Sequence, residues 1–310
     1  MDNKFIVSSS PHLSGTVKTK TIMIDVIIGL IPALVASIII FGPRALLVCA
    51  VSIAAAVIAE YICRKVMKRE NTIGDFSAVV TGLLLAFNLP SGIPLWMAAL
   101  GSVIAIVVVK QMFGGIGQNF VNPALAARII LMTSFPTQMT TWPSPVDGTA
   151  SSTPLAMIAS GNTADLPSYL DMFLGSRGGC LGETCILALL IGGVYLVIRK
   201  VISPIIPLTY IGVVFVFSAI LGQDCVMQIL SGGLFLGAIF MATDYTTSPL
   251  TNKGKFIYAV GCGILTVLIR TFGALPEGVS FSIIIMNILV PHIERLTEPK
   301  AFGVRKEASK

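Results

Sequence analysis

Residues 22–42 read IMIDVIIGLIPALVASIIIFG, a run of twenty-one positions with a single charge, Asp25, near its front. A helix rising 1.5 Å per residue covers the roughly 30 Å of membrane hydrocarbon in about 20 residues. This run has that length. Lys4, Lys18 and Lys20 precede it in a polar stretch, so it reads as a first span behind a short N-terminal segment (1–21) and not as a cleaved leader. The rest of the chain continues in the same manner. Of 310 residues, 55% are hydrophobic and only 12% charged, with a mean hydropathy of +0.88. A water-soluble domain carries roughly 25% charged residues, so here lipid must be the solvent for much of the surface. The fold class is an all-α membrane protein.

Apolar runs separated by polar breaks give ten candidate spans, near 22–42, 45–63, 74–88, 94–112, 120–134, 184–200, 205–222, 225–243, 256–272 and 279–296. The third and fifth are short. Placing the N-terminus in the cytoplasm puts seventeen Lys and Arg residues on inside segments, from Lys4 to Lys310. Only Arg44, Arg177 and Arg270 fall outside, and Arg128 lies within a span. That alternation never reverses, which fixes direction by the positive-inside rule and places both termini in the cytoplasm. The net charge of +6 therefore reflects membrane orientation and not nucleic-acid binding.

A long loop, 135–183, divides the spans into five (22–134) and five (184–297), followed by a tail at 298–310. Five spans per half turn the second copy upside down, the inverted-repeat plan in which broken helices surround a central site. Candidate breaks are Phe87–Pro90 and Gly114–Asn119 in the first half, and Thr243–Pro249 and Gly273–Gly278 in the second. The plainer alternative makes them ordinary loops.

The outer loop contains Asp147-Gly148-Thr149-Ala150-Ser151-Ser152-Thr153-Pro154-Leu155-Ala156. Thr153-Pro154 reads as a helix start, with Thr153 as N-cap and proline at the first helical position. The same stretch is similar to the flavin-attachment motif of the NqrB/RnfD family. Ser10-Pro11-His12, the Gly115–Ala124 run with Asn119 and Asn122, and Ala242-Thr243-Asp244 followed by Thr247-Ser248-Pro249 also resemble that family. So does Pro276-Glu277-Gly278 with Phe281 and Met286-Asn287, and the likeness covers nearly the whole chain. The short N-terminal segment is more like the RnfD branch than the NqrB branch.

The resemblance implies a membrane subunit of the Rnf complex, which couples electron transfer between ferredoxin and NAD to Na⁺ or H⁺ movement in the bacterial inner membrane. Its partners would be the A, B, C, E and G subunits, with ferredoxin and NAD reached only through them. The resemblance also implies FMN esterified through its phosphate to Thr153, and a non-covalent riboflavin in the membrane part. Asp147, Ser151 and Ser152 accompany Thr153 in the motif. Ala150, Ser151 and Ser152 depart from the residues common there, and Ser152 offers a neighbouring hydroxyl. A phosphate at a helix start would meet free N–H groups. The riboflavin is expected at the Gly114–Pro123 break or its inverted counterpart, with Asn119 and Arg128 as cofactor-binding candidates.

Asp25, Glu60, Arg128 and Asp244 fall in or beside apolar runs, where a lipid-exposed charge costs roughly 2.5–3.5 kcal/mol. Asp25 and Asp244 are candidates for an ion path. Asp25 and Glu60 are otherwise expected to snorkel to an interface, and Arg128 to find a buried pair or a flavin ring. His12 and His292 are too few to build a metal site by spacing, so none is expected. Cys180 and Cys185 read as free thiols, with a disulfide as the alternative. Trp96 and Trp142 are expected in the outer aromatic belt. With no nucleotide fingerprint and no cysteine cluster, the chain is expected to complete no reaction alone. The rival function is a secondary transporter or channel for a small polar solute, which the same repeat would suit.

Overall fold

The first two helices meet at a single residue. Gly42, at a φ of 75° that favours a residue without Cβ, ends α1 (Thr19–Phe41), and Pro43 opens α2 (Pro43–Val66). This computed structural model describes residues 18–143, 150–160, 166–273 and 277–299. The first half continues with α3 (Ser77–Phe87), α4 (Leu95–Val103), α5 (Pro123–Ser134) and the single turn α6 (Pro136–Met139). α4 runs on as a π-helix over Ile104–Gln111. Short elements follow: β1 (Trp142–Pro143), β2 (Ala150–Ser151), α7 (Pro154–Ala159) and α8 (Tyr169–Leu174). The second half comprises α9 (Ile186–Ile198), α10 (Ile205–Ile220), α11 (Cys225–Leu230), α12 (Leu234–Leu236), α13 (Asn252–Phe272) and α14 (Val279–Thr297).

Among the described residues, α1, α2, α13 and α14 are long and apolar enough to cross a membrane, and five shorter apolar helices lie among them. The molecule is a helical membrane protein. Its outward faces carry large apolar side chains such as Ile39, Ile198, Leu208 and Ile220, while its interior holds Ser52, Ser102, Ser218, Thr266 and Ser282. That distribution suits a lipid solvent, in which helices associate by close packing and internal hydrogen bonds. α1 packs on α9 at Gly29 and Gly192, where a Cβ on Gly192 would collide with the Gly29 carbonyl. α2 packs on α3 and α4, with Ser52 Oγ donating to Gly82 O (2.7 Å) and bonding Ser102 Oγ (2.8 Å). α10 packs on α13, where Tyr210 bonds Thr266 (2.6 Å) and Ser282 (2.9 Å).

The expected range 225–243 does not hold a single helix. The chain breaks at Ser231-Gly232-Gly233, between α11 and α12, and then continues as a π-helix over Gly237–Met241. The break has identifiable causes. Gly232 has a φ of 65°, a Cβ there would meet Leu155 and Arg270, and one on Gly233 would meet Glu183. The carbonyls freed at the break are taken by Arg270, whose Nη1 donates to Gln228 O (2.6 Å) and Nη2 to Ser231 O (3.0 Å). Non-helical backbone at this depth survives because buried protein groups satisfy it.

The loop also holds a small antiparallel pair, with Trp142 opposite Ser151. Trp142 is buried, so only Trp96, exposed and edge-on to Phe135 at 5.6 Å, suits the belt expected for both. Cys180 and Cys185 are free thiols.

Contacts sort the helix termini into two ends. At one end, the start of α1 meets the end of α9 (Asp25–Arg199), the end of α2 meets the π-helix that extends α4 (Glu60–Lys110), and the start of α13 meets the end of α14 (Thr251–Thr297). At the opposite end, Arg44 reaches Ser91 O, Gln223 reaches Thr271, and α5 reaches Glu277 through Arg128.

Candidate functional site

At the end that carries Lys110 and Arg199, the chain leaves a cavity of about 450 Å³. Small-molecule sites run from roughly 300 to 1,000 Å³. Its wall is mainly apolar, from Val80 and Leu84 of α3, Leu196 of α9 and Phe240 of the second π-helix. The two π-helices each lead into a turn, Gly114–Asn122 and Thr243–Pro249, and these turns meet on its wall. Asn119 Nδ2 donates to Thr246 Oγ1 (3.0 Å), and Asn122 Nδ2 to Met241 O (3.3 Å). Asn122 also caps α5, its Oδ1 accepting from Ala124 N and Leu125 N ahead of the helix that carries Arg128. Single-residue π insertions are frequent at functional sites because they re-aim side chains.

Polar groups on this cavity are already engaged. Lys110 Nζ donates to both oxygens of Glu60 (3.1 and 3.0 Å) and to Ser77 Oγ (2.6 Å). Glu60 accepts further from Gln111 Nε2 and Thr72 Oγ1, each at 2.9 Å. Glu60 is fully buried and Lys110 nearly so. This corrects one expectation, since Glu60 does not snorkel; Lys110, one of the seventeen inside charges, is its interior partner. The reason is mutual neutralisation in a dry site, with further donors meeting the carboxylate. Asp244 accepts from Thr246 Oγ1 (3.0 Å) and Thr247 Oγ1 (3.2 Å) within its own turn. Asp25 is also buried and does not snorkel freely, held by Tyr195 OH (2.9 Å) and Arg199 (3.2 Å).

The second region lies at the opposite end. Thr153 caps α7, its Oγ1 accepting from Ala156 N (3.2 Å), as its sequence context predicts. It is buried and faces a narrow cleft of about 10 Å³ with Arg177, Gly178, Glu183, Thr184, Gly232 and Glu277. Ser152 beside it is exposed. Asp147 and Ser10–His12 lie outside the described residues, as does the Ser151 side chain.

Arg128, whose partners the sequence leaves open, organises this end. Its Nη1 donates to Asn88 Oδ1 (2.7 Å), Glu183 Oε1 (2.9 Å) and Ser280 Oγ (3.0 Å), and its Nη2 to Cys180 Sγ (3.3 Å) and Glu277. Cys180, Glu183 and Glu277 present ligand atoms within 4.8 Å of one another. The Arg128 guanidinium bonds all three, so a positive charge already sits where a metal would. Burial pushes the Glu183 carboxyl up to about 7 against the pull of Arg128, and pulls Arg177 down to about 10. Neither Arg177 nor Glu183 stands out in the sequence, where a charge in a glycine-rich loop looks like solvated surface.

Arg177 and Arg270 differ from Arg128 in their partners. Arg177 donates to Met172 Sδ (3.6 Å) and Glu183 O (3.1 Å), and Arg270 to Gln228 and the Ser231 carbonyl. Among the described residues both Nε atoms are buried without a hydrogen-bond partner, as is Thr184 Oγ1. Among the described residues neither arginine has a carboxylate in ion-pairing range.

Comparison with known proteins is consistent along the chain. The profile of the NQR2, RnfD, RnfE family matches residues 6–303. The chain is 49% identical over 304 residues to the D subunit of a Na(+)-translocating ferredoxin:NAD(+) oxidoreductase complex from Acetobacterium woodii, covering 97% of this chain and 96% of that one. It is 43% identical to the D subunit of a proton-translocating ferredoxin:NAD(+) oxidoreductase complex from Clostridium ljungdahlii, covering 98% of each. It is 33% identical to the D subunit of an ion-translocating oxidoreductase complex from Escherichia coli, covering 97% of this chain and 99% of that one.

Proposed function

This chain belongs to the NQR2, RnfD, RnfE family, and from that premise we infer that it is the D-type membrane component of an ion-translocating ferredoxin:NAD⁺ oxidoreductase, the Rnf complex. Its partners are the A, B, C, E and G subunits of that complex, which handle ferredoxin and NAD. Near-full-length likeness to three such proteins carries this reading, and it displaces the solute-transporter alternative. The location is the bacterial inner membrane. The charge alternation supports placing both termini, and the cavity, toward the cytoplasm, with Thr153 on the outer face.

The finer reading is an electron relay with two flavins. Thr153 would carry FMN through its phosphate, and the cavity would hold riboflavin. Each flavin would supply one- and two-electron chemistry, which the surrounding protein tunes. The wall of Val80, Leu84 and Phe240 suits an apolar ring, and Asn119 and Asn122 fix the turns that bound it. Asn119 thus stays a cofactor-site candidate. Arg128 does not face the cavity; it belongs to the Thr153 end, where it holds Glu183 and Glu277 in place.

Two inverted halves, 22–134 and 184–297, joined by the outer loop, remain the proposed plan. Packing of α1 on α9 and of α5 on α14, the first and last helices of each half, favours it. Asp25 and Asp244 remain candidates for the ion path. Asp244 has the better position, on the cavity wall.

In protein made with its native flavin transferase, we expect yellow-green fluorescence of the denatured band that vanishes in Thr153→Ala. Mass spectrometry of the Thr153 peptide should show the flavin phosphate adduct. An unmodified peptide would defeat the FMN assignment and leave the family assignment untouched.

A further inference from the structure

A buried guanidinium without a counter-charge is costly, because desolvation removes several kcal/mol of hydration that only pairing and hydrogen bonding return. Among the described residues, the Thr153 end has five buried or part-buried charges, Arg128, Arg177, Arg270, Glu183 and Glu277. They lie close enough for the carboxylates to act on all three arginines. Both carboxylates are committed to Arg128. Three cations thus face two anions, and one of the two unmatched cations lines the Thr153 cleft beside the two carboxylates Glu183 and Glu277. Arg177 lines its cleft directly. Arg270 reaches it across Gly232, whose added Cβ would lie 3.1 Å from Arg270 Nη2 and 2.8 Å from Leu155. The unpartnered donors, Arg177 Nε, Arg270 Nε and the Thr184 hydroxyl, belong to this same group of residues. The cleft has room for about one water-sized atom, which is the size of one non-bridging phosphate oxygen.

We propose that Arg177, with the Thr184 hydroxyl and backed by the charge of Arg270 behind Gly232, forms a phosphate subsite that receives the phosphodiester carried by Thr153. This rests on the reading of Thr153 as the FMN acceptor. A phosphodiester brings one negative charge and non-bridging acceptor oxygens, so it offsets the excess positive charge of the cluster and offers acceptors to the orphan donors. Gly232 is a spectator that keeps the approach open, since a Cβ there would meet Leu155 and Arg270. The two arginines act on the phosphate and leave the ring to other contacts.

The test uses the whole complex, made with its flavin transferase, in four forms: wild type, Thr153→Ala, Arg177→Gln and the double variant. Arg177→Gln should lower the thermal unfolding midpoint when Thr153 carries flavin, and should leave it unchanged or raise it in the Thr153→Ala background. An equal loss in both backgrounds makes Arg177 a purely structural residue and overturns the proposal. Peptide mass spectrometry gives the flavin-bearing fraction of each form, so that loaded protein is compared with loaded protein, and Arg177→Lys should recover most of the lost midpoint because it keeps a charge-assisted bond. A wild-type peptide with no adduct removes the FMN reading instead. Inorganic phosphate then decides: stabilisation of Thr153→Ala protein by phosphate, absent in the double variant, upholds the subsite, and no stabilisation refutes it.

Discussion

The cavity and the Thr153 cleft are opposites. The cavity offers about 450 Å³ of mostly apolar space; Lys110 is matched there by Glu60, and Asp244 is hydrogen-bonded by its own threonines. The cleft offers about 10 Å³ and is bordered by donors that nothing among the described residues satisfies. Room without a spare cation suits a neutral ring held by shape. Spare charge without room suits an anion tied to the chain while its bulk stays outside. On the proposed reading, the two flavins would be held by different physical means.

The sharpest test of this contrast is Lys110→Met. If the charges on the cavity are structural, removing Lys110 strands Glu60 and costs about 3–5 kcal/mol, visible as a large drop in the thermal midpoint. Unchanged stability with loss of extractable flavin would make Lys110 a ligand and break the contrast. Val80→Phe should come next, narrowing the cavity and reducing acid-extractable flavin severalfold, while in-gel fluorescence from the covalent flavin persists. Loss of both signals together would merge the two sites. Asn119→Ala removes the bond between the two turns and should cost about 1 kcal/mol, read as a few degrees in the midpoint and weaker flavin retention. Ser152→Ala should do least. An exposed residue of this kind contributes within about 0.5 kcal/mol, and attachment at Thr153 should continue; lost attachment would move the acceptor by one residue.

The apolar runs and the lysines and arginines between them mark nearly every helix, because lipid imposes length and composition on each segment separately. The Thr153-Pro154 cap is equally legible, being local. What escapes depends on contacts far apart in the chain. Glu60 and Lys110 are 50 positions apart, and neither run shows that the other supplies its counter-charge. The break at Ser231–Gly233 follows from Leu155, Glu183 and Arg270 entering from elsewhere, so residues 225–243 read as one continuous helix. Arg177, a loop charge by its sequence context, is an interior residue because Glu183 and Met172 fold over it. Buried charges are the residues that one-dimensional reading handles worst, since their partners decide everything.

One short helix touches both regions. Residues Val80, Thr81 and Leu84 of α3 form part of the cavity wall, and at and beyond its last turn Phe87 O and Leu89 O accept from Gly182 N (2.9 Å) and Leu181 N (3.0 Å). That stitch continues directly into Glu183 on the cleft. Eleven residues of helix span about 16 Å. α3 is thus a spacer that fixes the separation of the two chambers, like a rod whose ends carry one wall of each.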